Sequence, residues 1–177
     1  MPIKISSVPK IILYKYKEVI IFYDLMHING IDYLNSILQH IIFATGSMIK
    51  KLKIKNIADG ITQVHTLYLH LGFKITHMHA DRELEPLRRK MTALDINLKF
   101  ESKKDHIPEI ERFIQTVKEH VRSFRATMQF KRVSKLIIVH FVASAIFSLN
   151  AFHPSTPGSV LSDQKGPRQL VLGAISD

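Results

Sequence analysis

The chain has no cysteine. That excludes disulfides and thiolate-ligated zinc within these residues and leans towards an intracellular protein. Long apolar runs are also missing. The N-terminal stretch MPIKISSVPKIILYKYKE lacks the continuous apolar core of a signal peptide. The one membrane suspect, residues 136–149 (LIIVHFVASAIFSL), is too short to span a bilayer and carries His140, so it reads as a buried helix. No internal repeat is present. Acidic side chains are in the minority, 15 against 25 Lys and Arg, giving a net charge of +10 and a pI of about 9.8. Such a surplus favours a polyanionic partner, either nucleic acid or an acidic membrane surface.

What remains is a globular chain of 177 residues, long enough for one domain with a real core. Residues 1–17 are basic, contain Pro2 and Pro9, and read as a lead-in segment. Residues 19–25 (VIIFYDL) are β-branched and aromatic and predict a buried strand ending at Asp24. Asn29-Gly30 signals a hairpin into a second strand over 31–39. A short third strand fits 40–45. Thr45 or Ser47 could cap a helix over 48–71, interrupted near Asp59-Gly60 and closed by Gly72. Residues 74–80 alternate as a fourth strand that delivers Asp81. A helix near 83–93, a fifth strand over 95–100, a polar loop over 101–106 and a last helix over 131–150 complete the core. From residue 151 the composition turns to Pro, Ser, Gly and Asp and reads as a tail or linker over 151–177. The order is β-β-β-α-β-α-β-α-α. It predicts an α/β fold of the ribonuclease H-like kind, a five-stranded mixed sheet with helices on both faces, over residues 18–150.

The most informative stretch is 106–125, HIPEIERFIQTVKEHVRSFR. Pro108 suits a first helical position, where its missing N–H costs nothing. Glu109 and Glu111 fall in the first turn, where carboxylates suit the positive end of the helix dipole. Ile110, Phe113, Ile114, Val117, Val121 and Phe124 form one apolar stripe. The opposite face runs Glu111, Gln115, Lys118, Arg122, Arg125. One acid is thus followed, turn by turn, by an amide and three cations. An ordinary solvated helix face has the same pattern.

In the predicted fold, strands one and four are neighbours. Asp24 and Asp81 then emerge on one edge of the sheet, and the helix after strand five brings Glu111 beside them. Three carboxylates at one point repel unless a cation lies between them. Their hard oxygens suit Mg²⁺ or Mn²⁺, and a metal pair suits phosphoryl transfer, which needs no covalent nucleophile from the protein. The residues leave alternatives. Asp24 also suits a turn after a strand, Asp81 suits the N-cap of the 83–93 helix, and Glu109 competes with Glu111.

At these residues the sequence resembles the integrase core domain of copia-type retrotransposon polyproteins, within the DDE integrase and transposase superfamily. The matching pieces are VIIFYDLMHINGIDYL, ITHMHADRELEPLRR and HIPEIERFIQTVKEHVR. The tail LNAFHPSTPGSVLSDQKGPRQLVLG is similar to the stretch that follows the core. The likeness covers most of 18–173. Glu111, Arg112 and Thr116 match the glutamate motif, which selects Glu111 over Glu109. The resemblance implies Asp24, Asp81 and Glu111 as catalytic, metal-binding residues for Mg²⁺ or Mn²⁺. It places Gln115 and Lys118 on the DNA end and implies DNA as partner, both element ends and target. A homodimer or higher multimer, and a place in the nucleus or a virus-like particle of a retroelement, follow from the same likeness. The chain departs from the pattern at Arg82, where Asn is usual, and at Ile107-Pro108, where Asn-Gly is usual. The zinc module before the core and the reverse transcriptase after it are missing, so the resemblance implies a fragment or relic of a polyprotein. Three functions are therefore expected in competition. They are an integrase core, with Arg122 joining Lys118 on phosphates, a non-catalytic DNA-binding relic, and a metal-dependent nuclease of the same fold.

Other features read as structural. His65, His70, His77 and His79 have poor spacing for a shared ion. Lys50, Lys51, Lys53 and Lys55, like Arg88, Arg89 and Lys90, suit either DNA backbone or solvent. Phe147 and Phe152 read as core and tail anchors.

Overall fold

A computed structural model describes residues 8–100, 108–130, 132–151 and 166–172. Five strands form one sheet in the order β3-β2-β1-β4-β5. They are β1 (Glu18–Ile28), β2 (Ile31–Leu38), β3 (Ala44–Ile49), β4 (Lys74–Ala80) and β5 (Asn97–Phe100). β1–β2 and β2–β3 pair antiparallel, while β1–β4 and β4–β5 pair parallel. The expected fold and element order are observed.

Side chains alternate across each strand, so the sheet has two apolar faces. Val19, Ile21 and Tyr23 of β1 pack into one core with α2 (Ile54–His70) and α3 (Arg88–Ala93). Phe22, Met26 and Ile28 pack into the other, beneath α4 (Pro108–Thr127) and α5 (Lys135–Ala151). On α4 the buried residues are Ile110, Phe113, Ile114, Val117 and Val121, the stripe expected from the sequence, with Phe124 packed at its margin. The helix expected over 83–93 is a 3-10 turn over Arg82–Leu87, which contains Pro86, and becomes α-helical only at α3 from Arg88. Residues 101–107, where a polar loop over 101–106 is expected, and Phe152 lie outside the described residues.

Local differences from the sequence reading have physical causes. β1 does not end at Asp24. It continues to Ile28 because the Asn29-Gly30 turn, with φ of 50° and 76°, pairs Asp24 with Asn35 and Ile28 with Ile31. The third strand lies at 44–49, not 40–45. Ile42 N–H donates to the Leu38 carbonyl (2.9 Å) and Leu38 N–H to the Phe43 carbonyl (3.0 Å), which closes a turn first. Thr45 and Ser47 are therefore strand residues, and α2 starts at Ile54 without a side-chain cap. α2 also passes unbroken through Asp59-Gly60. A Cβ on Gly60 would lie 3.1 Å from Leu34, so glycine lets this helix approach β2 closely. In the basic lead-in, Lys10–Tyr16 form a short helix, α1. Within the C-terminal stretch, Pro167–Leu172 form α6, and Val171 is fully buried. Phe147 is half exposed rather than core, with the Arg168 guanidinium 4.4 Å from its ring centre. No helix among the described residues is long and apolar enough to cross a membrane.

Besides its apolar packing, α5 is hydrogen-bonded to the sheet edge through Asn150. Asn150 is buried; its Oδ1 accepts from Ala44 N–H (2.9 Å) and its Nδ2 donates to the Ala44 carbonyl (2.8 Å). Asn150→Leu strands both backbone groups. The expected cost is about 2 kcal/mol, or about 6 °C in Tm for a chain of this size, read by thermal circular dichroism.

Candidate active site

The pairing of β1 with β4 sets the geometry. Phe22 is level with His79, and their rings meet edge to face at 5.2 Å on the side covered by α4. Asp24 and Asp81 lie two residues further along each chain, so both carboxylates belong to that same face. β4 stops at Ala80, which leaves Asp81 exposed at the strand end. Asp81 stands at the N-cap position of the 3-10 turn, yet its side chain makes no capping bond. α4 lies across this face with its apolar stripe down, which puts Glu111 in its first turn and Lys118 two turns on.

Asp24 records the result. It is half-buried on β1 and accepts a hydrogen bond from Leu25 N–H at 2.7 Å. Burial raises its carboxyl from 3.8 to about 6, the Leu25 bond lowers it, the charges of Asp81 and Glu111 raise it, and Lys118 lowers it. The three acids named from the sequence therefore share one electrostatic neighbourhood with Lys118. Their approach is not tight. Among the described residues, no group of three His, Asp or Glu side chains could hold a metal ion as it stands. Donor type and charge fit a hard divalent cation, which would offset the repulsion felt at Asp24, while the spacing does not close around one.

The chain has the fold of integrase catalytic cores. It superposes on the catalytic core domain of BIV integrase with a TM-score of 0.58 and 15% identity, over 86% of this chain and 93% of that one. It also superposes on a chain of the simian T-cell lymphotropic virus intasome, determined in complex with the PP2A regulatory subunit B56 gamma, with a TM-score of 0.62 and 14% identity, over 88% of this chain. The likeness spans 54% of that intasome chain, about half its length. No family model and no curated protein sequence matches. At these identities the integrase-core likeness is one of fold.

On this fold, the remaining residues named from the sequence separate. Lys118 is half-buried and its charge reaches Asp24. Gln115 is exposed and its Nε2 donates to Glu119 (3.1 Å), so it is engaged along its own helix. Arg122 is exposed one turn beyond Lys118. Arg88 pairs with Glu85 (2.7 Å) and lies 4.7 Å from the Phe100 ring centre, and Lys90 approaches Asp59 (3.9 Å), so both have protein partners. Lys50, Lys51, Lys53 and Lys55 are exposed around the start of α2. Sequence reasoning passed over Asn35. It is the cross-strand partner of Asp24, fully buried, with neither amide atom hydrogen-bonded. An asparagine between Leu34 and Ser36 in a strand was the available signal, and only the β1–β2 register gave it meaning.

Proposed function

We propose that the chain is the catalytic core of a retrotransposon integrase of the copia type, a polynucleotidyl transferase that trims element DNA ends and joins them to target DNA. The observation that carries this reading is the carboxyl of Asp24, raised by burial and by the charges of Asp81 and Glu111 with Lys118 opposing them. The integrase-core fold of the two retroviral structures supports it. Asp24, Asp81 and Glu111 would hold Mg²⁺ or Mn²⁺. The ion supplies charge neutralisation for in-line displacement at a phosphodiester. Lys118 offsets carboxylate charge and takes a phosphate, Arg122 takes the next one, and Gln115 exchanges Glu119 for the DNA end. A homodimer or larger assembly on DNA, in the nucleus or a virus-like particle, belongs to the same proposal.

One observation favours a second reading, a relic that binds DNA without chemistry. The three carboxylates do not form a closed metal site. Labelled duplex oligonucleotides with Mg²⁺ or Mn²⁺ distinguish the two. The expected result is metal-dependent nicked and joined products that Asp81→Asn reduces at least about a thousandfold, the scale of losing one charge-stabilising group of the reacting centre. Nicked products without joining would make the chain a nuclease. DNA binding with no product in either protein would make it the relic.

A further inference from the structure

The outer edge of the sheet carries a surface that DNA chemistry does not use. β3 is an edge strand, and its sequence ATGSMI contains no charge and no proline. Edge strands are usually blunted by such residues, because unpaired N–H and C=O groups template further strands. β5 at the opposite edge is four residues long and carries Lys99.

The direction of the unpaired groups follows from Asn150. Its carboxamide bonds both the N–H and the C=O of Ala44, so these point away from β2. Antiparallel pairing alternates, so Gly46 and Met48 point their backbone groups the same way. Among the described residues nothing hydrogen-bonds them. Asn150 thus does at one position what a sixth strand would do at three.

α5 frames this edge. Leu136, His140, Ala143, Phe147 and Asn150 recur at three- and four-residue spacing and form one row of that helix. Asn150 reaches the β3 edge, so the row above it overlooks the same edge. Leu136 and Phe147 are 66% and 52% exposed, while the opposite side of α5 is core. Where the row meets the end of β3, a cavity of about 390 Å³ opens between Met48, Ile49, Leu136 and Val139, with Lys50 and Lys135 at its sides. Asp32 also lines it, but its carboxylate is bonded to His27 Nδ1 at 2.7 Å.

We propose that this edge docks an extended, acidic segment of another protein by strand addition. The segment pairs with Gly46 and Met48, places an apolar side chain in the cavity, and sets carboxylates against Lys50 and Lys135. The charge decides the occupant. A second copy of a chain with net charge +10 brings the same lysines to the same edge. Nucleic acid lacks the alternating donors and acceptors that match a strand, and has no aliphatic group for the cavity. The proposal is independent of the phosphoryl-transfer reading.

The test uses the full chain and a fluorescein-labelled eight-residue peptide of alternating glutamate and valine, followed by anisotropy. Met48→Pro removes an outward N–H without breaking a bond to β2, a place where edge strands tolerate proline. It is expected to weaken binding about tenfold, and Lys135→Glu by a similar factor. The same peptide N-methylated at alternate amides, which cannot pair, probes the unaltered protein and is expected to bind at least about tenfold more weakly. No binding, or equal binding of the methylated peptide, overturns the proposal. So does a dimer in sedimentation that Met48→Pro converts to monomer, which would assign the edge to a second copy.

Discussion

Asp24→Asn is expected to stabilise the protein at neutral pH and, on the proposed function, to abolish metal-dependent product. The Asp24 carboxyl is raised from 3.8 to about 6, so folding favours its protonated form. In the parent protein this contributes stability that is fully present below pH 4 and lost as pH rises through 6. The interval corresponds to about 3 kcal/mol, and solvent screening at a half-buried group brings it to about 2 kcal/mol. Asparagine mimics the protonated acid at every pH. The variant should therefore unfold about 5 °C higher at pH 7.5 and coincide with the parent near pH 4. Circular dichroism is a suitable probe because the chain has no tryptophan. A Tm difference that is flat across this range would mean that the Asp24 carboxyl is neither desolvated on β1 nor opposed by the charges of Asp81 and Glu111. In the oligonucleotide assay the same variant should lose product at least about a thousandfold. A relic would show the stability gain with no activity to lose.

The largest loss of stability should come from Val117→Asp. Val117 is fully buried on α4, at the centre of the stripe that lies against β1 and β2. Aspartate there has no cation within the apolar core formed with Phe22, Met26 and Val142. A carboxylate of this kind either ionises at high cost or stays protonated and unpaired. The expected cost is about 4 kcal/mol or more, a fall of about 12 °C at this chain length. Val117→Ala, which only leaves a small void, should cost about 2 kcal/mol. The functional consequence is specific. α4 carries Glu111, Lys118 and Arg122, so on the proposed function loosening it should remove metal-dependent product and weaken DNA binding together, even at temperatures where β1 and β4 remain folded. If Val117→Asp costs under about 1 kcal/mol, α4 does not pack on the sheet as described and Glu111 is not delivered to Asp24.

Most of the fold was legible because its signals are local. The Asn29-Gly30 pair, the β-branched run of β1, the alternation of β4 and the helical stripe of α4 each follow from the chemistry of neighbouring residues. Errors fell where a distant partner, or a tight turn the residues did not announce, overruled local preference. Asp59-Gly60 reads as a break, but packing against Leu34 keeps α2 continuous. Residues 40–43 read as a strand, but the turn closed by Leu38 and Phe43 moves β3 four residues along. The apolar run 136–149 reads as fully buried, yet it has a core side and an exposed row.

The candidate site divides in the same way. The sequence offered Asp24, Asp81 and Glu111 with alternatives open, a turn role for Asp24, an N-cap role for Asp81 and Glu109 beside Glu111, while the row of cations on α4 followed from the fixed 3.6 residues per turn of one helix. It also determined the basic character that suits a polyanion. Only the tertiary structure decided that Asp24 lies mid-strand opposite Asn35, that the Lys118 charge reaches Asp24 while Gln115 bonds Glu119, that the carboxylates interact without closing on a metal site, and that among the described residues β3 keeps an open edge beside an apolar cavity. The physical reason is range. Helical faces, turns and strand alternation are set within a few residues of the chain. Cross-strand register, the distance between like charges and the exposure of a backbone edge depend on which segments meet across the sheet, and no local pattern encodes those meetings directly.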